Sequence, residues 1–345
     1  MKITKEKYID CGKNKVNKYI LNNSAGMSVE VLDLGCTIVS LKLPDRDGEL
    51  KDVVLGYKDP MQYFSNPAFF GSVIGRISNR IAKGRFCWQG KQIELEINGG
   101  NDHLHGGTNG FWGRVWECIE DEGRLIFKIN SPDKDSNYPG EIECYVSYIL
   151  TEDNELIIKY KVTTPSESMA NLTNHSYFNL NGDGSDSVLN HYLKINSDYF
   201  TEIAPDYIPT GKLLSVDNTP MDFRTFKTIG RDIDADYDQL LITGGYDHNY
   251  VLSEGLEIAA IVYSPESGIE LEVSSDSPGM QLYTANLMGE GLIGKNGREY
   301  KQRSGFCLET QFYPDSLNHP EFPQPIVTKD AAQQFETRFK FRIRD

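Results

Sequence analysis

The sequence predicts an all-β protein: a large antiparallel β-sandwich, with residues 1–345 as a single domain. Three observations carry this. Apolar and polar residues alternate with period two along many short runs, the pattern of strands with one buried face. Convincing helical periodicity is rare. No Pro/Ser linker, repeat or low-complexity tract divides the 345 residues, a length that large all-β folds reach as one unit.

Individual elements follow from the same alternation. Ile142, Cys144, Val146, Tyr148 and Leu150 share one face. After the turn signal Thr151-Glu-Asp-Asn154, Leu156, Ile158, Tyr160 and Val162 share another, with Lys159 and Lys161 opposite. This reads as a β-hairpin. Ile93, Leu95 and Ile97 alternate with Glu94 and Glu96, and Ile269, Leu271 and Val273 with Glu270 and Glu272. Phe339, Phe341 and Ile343 alternate with Lys340 and Arg342. Short helices are expected at Lys329 to Glu336 and Arg231 to Leu240.

Composition narrows the function. Lys and Arg total 35 against 50 Asp and Glu, a net charge of −15. That balance disfavours non-specific nucleic-acid binding and docking on an anionic membrane, both of which need clustered cations. No run approaches the ~20 apolar residues of a membrane helix. The stretch MKITKEKYIDCG has no apolar core of a secretory signal. The six cysteines, Cys11, Cys36, Cys87, Cys118, Cys144 and Cys307, are scattered without CxxC pairs. Reduced, mostly buried thiols in a cytoplasmic protein are expected.

Two familiar patterns carry little. Gly289 to Gly294 spells GxGxxG, but the following KNGREYKQRSG has no helical period, so the helix N-terminus that would bind phosphate is missing. A glycine-rich surface loop is expected there. His103-Leu-His105 resembles the start of a metal site, yet Gly-Gly-Thr-Asn-Gly follows and the next acid is Glu117. No metal is expected.

Other segments are denser in chemistry than sheet structure requires. They are Gly71 to Phe86, Asn101 to Trp116, Asn171 to Leu180, Gly245 to Asn249, Pro278 to Gln281 and Phe306 to Gln311. Each mixes Asn, His, Asp, Gln or Glu with glycine or aromatics. Neutral hydrogen-bonding groups beside aromatic faces suit a sugar ring, whose edge is polar and whose faces carry C–H groups. Trp112 fits either the core or a sugar platform.

The motifs Asn79-Arg80-Ile81, Leu104 to Gly107 (LHGG), Asn171 to Leu180 (NLTNHSYFNL), Thr219 to Arg224 (TPMDFR), Tyr246 to Asn249 (YDHN), Pro278 to Thr284 (PGMQLYT) and Leu308 to Asp315 (LETQFYPD) resemble, in order, those of the aldose 1-epimerase (galactose mutarotase) family. The resemblance implies a mutarotase-type sandwich that interconverts the α and β anomers of free aldohexoses such as galactose and glucose, without a cofactor. It implies Glu309 as catalytic base and His175 as acid, with His105 in the catalytic group. Asn79, Arg80, Asp247 and Gln281 are implied as sugar-binding or supporting groups. His103 and His248 receive no role. A hexose-6-phosphate epimerase and a non-catalytic sugar-binding protein are the competing readings, and the chain is expected as a monomer or homodimer.

Overall fold

The computed structural model describes residues 2–11, 14–255, 257–289 and 291–344. The alternation in sequence becomes alternation in burial. Along Ile142–Leu150 every even-numbered residue is buried, and along Glu155–Thr163 the apolar even positions are buried in turn. The two strands pair antiparallel with Leu150 opposite Leu156, forming the expected hairpin. They lie within a nine-stranded sheet whose centre includes Gln333–Ile343, hydrogen-bonded to Glu155–Thr163 on one side and Ile269–Ser275 on the other.

A five-stranded sheet carries Pro209–Ser215, Tyr199–Ile203, Asp247–Val251, Gly279–Tyr283 and Cys307–Gln311, in that spatial order. Even-numbered Tyr250, Met280, Leu282 and Leu308 join the main core with Val146 and Phe339, which belong to the nine-stranded sheet. The Thr310 and Thr337 hydroxyls hydrogen-bond between the two sheets at 2.5 Å. Odd-numbered residues of Asp247–Val251, Gly279–Tyr283 and Cys307–Gln311 therefore face away from this core. A further five-stranded sheet, made of Lys2–Cys11, Asn14–Asn22, Ser28–Leu32, Ile38–Pro44 and Leu50–Asp52, contributes Leu21, Val29, Val31 and Leu41 to the same core.

Two helical expectations fail. Lys329 to Glu336 is no helix: Thr328 bridges Ala331, and Gln333 already opens the final strand. There the alternation of Phe335, Thr337 and Phe339 prevails, because two flanking strands require a partner between them. At Arg231 to Leu240 a 3-10 turn, Ile229–Arg231, ends as the stretch begins, and only Asp238–Thr243, the one α-helix among the described residues, follows, ended by Gly244 in the left-handed region. The Ile93 alternation also stops early, at Glu94, in a two-stranded hairpin with Arg85–Trp88. Of the five described free cysteines, Cys36, Cys144 and Cys307 are buried, Cys118 is half-buried and Cys87 is exposed. Among the described residues no helix is long and apolar enough to cross a membrane.

Phe339 tests the central role of the last strand: it is buried, pairs with Leu156 and Val273, and packs on Phe178 at 5.2 Å. Phe339→Ala is expected to cost about 3–5 kcal/mol. The effect would be read as a lowered urea midpoint at unchanged slope.

Candidate active site

Strand register gathers the first set of polar groups. Gln281 pairs with both Glu309 and Asn249, and Tyr283 with both Asp247 and Cys307. All are odd-numbered, so they share the face turned away from the core. Gln281 Nε2 donates to Asp247 Oδ1 at 2.7 Å.

A second group arrives from loops locked by tight backbone geometry. Arg80–Ile81 pairs antiparallel with His103–Leu104, so the NRI and LHGG motifs are two halves of one short ladder. Asn79 (φ 60°) and His105 (φ 51°) flank it in the left-handed region, as does Phe69 (φ 57°) nearby. Non-glycine residues held there carry strain that the surrounding structure must offset, and such positions concentrate at functional sites. Gly106 follows His105 for a steric reason: at φ +81°, a Cβ would stand 1.8 Å from the Gly75 carbonyl oxygen. Asp315 secures the other side, taking the Ala82 amide on Oδ1 while its own amide donates to the Arg80 carbonyl.

The NLTNHSYFNL segment is mostly a clamp. Asn171 both donates to and accepts from the Phe312 backbone, Asn174 donates to the Gly71 carbonyl, and Asn179 donates to the Ser304 carbonyl. Between these anchors the His175 amide donates to Ser72 and its carbonyl accepts from Gly71. The ring is set between Tyr177, stacked at 5.1 Å, and Phe69, at 5.9 Å.

The two groups enclose a cavity of about 490 Å³ lined by Asn79, Arg80, His105, His175, Asp247 and Glu309. Six of the seven residues singled out from the sequence therefore share one space. Gln281 is the seventh, and it stands behind Asp247 and outside the lining. Trp112 is also outside, packed edge-on against Phe69 at 5.3 Å. His248 faces the core and meets Phe200. His103 is occupied at both nitrogens, by the Glu96 carbonyl and the Tyr138 hydroxyl, each at 2.7 Å.

Sequence reasoning missed the apolar wall: Phe69, Tyr177, Tyr283, Leu287, Met288 and Leu292. Tyr283 was detectable, being two residues from Gln281 in one strand. Leu287, 73 % exposed at the mouth, and Leu292 belong to the segment around the glycine-rich motif. That segment forms a turn in which Ile293 bridges Glu299 and the Gly294 amide donates to Arg298. Lys295 is held there by the Asp52 carboxylate and two carbonyls, and Glu290 lies outside the described residues.

Electrostatics are dominated by dehydration. Glu309 is 2 % exposed, and its Oε2 has no hydrogen-bond partner within the protein. Burial raises its proton affinity well above the ordinary carboxylate range; the Asp247 charge adds to this and Arg80 opposes it. Burial also raises Asp247, against Arg80 and the Gln281 hydrogen bond. His175 Nε2 lies 3.7 Å from Glu309 Oε2. Burial lowers His175 from the usual 6.5 to about 4, against a smaller opposing effect of its own backbone. Burial thus biases both members of this pair towards their uncharged forms.

His105 is lowered further, by burial and then by the neighbouring His175 and Arg80. Its Nδ1 accepts from the Asn79 amide at 3.2 Å, so the neutral ring carries its proton on Nε2 and is a fixed donor. His175, Cys307 and Glu309 bring one donor atom each within 4.8 Å of one another. The thiol and the carboxylate face different nitrogens of the imidazole, which is the disposition of hydrogen-bond partners, not of ligands around one ion.

A cavity of this size, with one wall of aromatic rings and one of convergent polar groups around a carboxyl–imidazole pair, defines an acid–base site for a small polar molecule. The aldose 1-epimerase family model matches residues 17–340. The chain is 38 % identical to the galactose mutarotase of Bos taurus, covering 96 % of each chain. It is 39 % identical to the aldose 1-epimerase of Escherichia coli (strain K12), covering 94 % of each. Among solved structures, an aldose epimerase homologue from C. elegans superposes with TM-score 0.88 at 30 % identity, covering 94 % of this chain and 98 % of that one. A galactose 1-epimerase from Lactobacillus acidophilus gives 0.87 at 26 %, covering 100 % and 99 %. The chain belongs to the aldose 1-epimerase family.

The depressed His175 pKa has a readable consequence. A folded ring that takes its proton near 4 instead of 6.5 favours the folded state above pH 6.5, and that contribution is lost as pH falls towards 4. In a ring-resonance NMR titration, His175 is expected to stay neutral from pH 8 to 6 and to move only as the pH nears about 4.

Proposed function

We propose that residues 1–345 form one aldose 1-epimerase domain that interconverts the α and β anomers of free aldohexoses such as galactose and glucose. The observation that carries this is the unpaired, buried Glu309 carboxyl facing His175 on the floor of a sugar-sized cavity. Anomer exchange removes a proton from the anomeric hydroxyl and delivers one to the ring oxygen. The ring opens to the aldehyde, the adjacent carbon–carbon bond rotates, and closure follows on the other face. No electrons leave the sugar, so side chains suffice and no cofactor is required.

In this reading the pair holds one proton. Sugar hydroxyls donating to Glu309 favour its ionised form and send the proton to His175. Glu309 then takes the anomeric proton while His175 protonates the ring oxygen, and reclosure runs the same pair backwards. His105, a neutral donor at Nε2, and Arg80 stabilise charge developing on the sugar oxygens. Asn79 and Asp247 hold hydroxyls, Gln281 orients Asp247, and Phe69, Tyr177 and Tyr283 cover the C–H surface. Arg80 is the one Lys or Arg among the described residues that line the cavity. This favours an uncharged sugar over its 6-phosphate. We place the protein in the cytoplasm, as its free thiols suggest, as a monomer or homodimer.

Polarimetry on freshly dissolved α-galactose and α-glucose is expected to show relaxation faster than buffer alone. Glu309→Gln should lose about 10²–10⁴-fold in kcat. A buffer-level rate for the wild type, or an undiminished rate in the variant, overturns the reading. In a parallel comparison, glucose 6-phosphate is expected to have the lower kcat/KM; equal or higher values would return the phosphorylated substrate to first place.

A further inference from the structure

His175 meets a different partner at each ring nitrogen. Nε2 faces Glu309 at 3.7 Å, and Nδ1 faces Cys307 Sγ at 3.6 Å, within hydrogen-bonding reach of sulfur. Both partners project from one strand, two residues apart on the same face, and both are buried. Cys307 belongs to the buried apolar cluster that also holds Tyr57, Phe70 and Tyr177 and is outside the cavity lining, so it does not meet substrate. The other titratable groups against the ring are Tyr177, stacked on it, and His105, with ring centroids 5.2 Å apart. Glu309 Oε2 has no other partner within the protein, which leaves Nε2 as the group it addresses.

A neutral imidazole carries its proton on one nitrogen, so the partner at Nδ1 decides what Nε2 presents. For the pair's proton to pass from Oε2 to Nε2, Nε2 must offer a lone pair. Nδ1 must then hold the other proton and have somewhere to donate it. A carboxylate at Nδ1 would fix that tautomer but stabilise the imidazolium strongly, as in hydrolase triads. A thiol is a weak, uncharged acceptor: it fixes the ring and leaves the imidazolium a stronger acid.

We propose that Cys307 is a positioning residue for the acid–base pair: its sulfur accepts the Nδ1 proton of His175 and directs the Nε2 lone pair at Glu309. In the transfer the Oε2–H bond breaks as Nε2–H forms, the electron pair stays on the carboxylate, and Cys307 keeps its own proton. The role in turnover rests on the mutarotase reading, whereas the tautomer does not.

Long-range ¹H–¹⁵N NMR of the full chain at pH 7 separates the two. The wild type and Cys307→Ser are expected to show His175 protonated at Nδ1, and Cys307→Val, which fills the space without an acceptor, to lose that preference. In kinetics, Cys307→Val should lower kcat about tenfold, the scale of one net hydrogen bond. Its KM should be little changed and the acid limb of its kcat–pH profile displaced, with Cys307→Ser restoring most of the rate. An Nε2–H tautomer in the wild type overturns the proposal, and so does Cys307→Val with wild-type kcat and pH profile. Should Cys307→Val fail to fold, the wild-type and serine spectra decide alone. A wild type without mutarotase activity would sink the functional reading and leave the tautomer result standing.

Discussion

Burying the Glu309 carboxyl without a partner beside His175 is the constraint on which the site depends. An isolated carboxylate in a dry interior is costly, and proteins avoid it by keeping the group protonated or pairing it closely. Here burial works on both members, raising the proton affinity of Glu309 and lowering that of His175. In the free site both members of the pair are thus disfavoured as charges. A ligand with many hydroxyl groups is what alters that balance, because it brings donors to the carboxylate and acceptors to the imidazole.

Holding such a pair requires a rigid frame. The core face of the five-stranded sheet is fixed by packing on the nine-stranded sheet, so the opposite face is fixed with it. Asp247, Gln281, Glu309 and Cys307 inherit their spacing from strand register. The loop side is held differently. Asn79, His105 and Phe69 adopt left-handed backbone, and the Asn171, Asn174 and Asp315 side chains tie neighbouring segments to one another. The strain at those positions is offset by hydrogen bonds that leave little freedom to relax.

Much of the fold was legible because period-two alternation survives into burial, as along Ile142–Leu150. It failed where a local pattern competed with a tertiary demand: Lys329 to Glu336 has polar residues compatible with a turn of helix, yet Gln333 is drawn into the sheet. The catalytic candidates were legible through motifs that mix Gly, His and acids. Their supporting roles were not. Gln281, implied as a sugar-binding or supporting group, stands behind Asp247, and nothing in the pattern NLTNHSYFNL shows that its asparagines clamp backbone. Leu287, Met288 and Leu292 carry no local signal, because an apolar loop residue looks the same at a cavity mouth and on an ordinary surface.

The sequence by itself determined the strands, the absence of a phosphate-binding helix after Gly294, and the residue types able to do acid–base chemistry on a sugar. These are properties of pattern and composition, which need only near neighbours. The tertiary structure alone decided which groups meet: Glu309 and His175 are more than a hundred residues apart, and Cys307 meets the far nitrogen of the same ring. It also decided the direction in which each proton affinity is shifted, since dehydration depends on everything packed around a group and not on its neighbours in the chain.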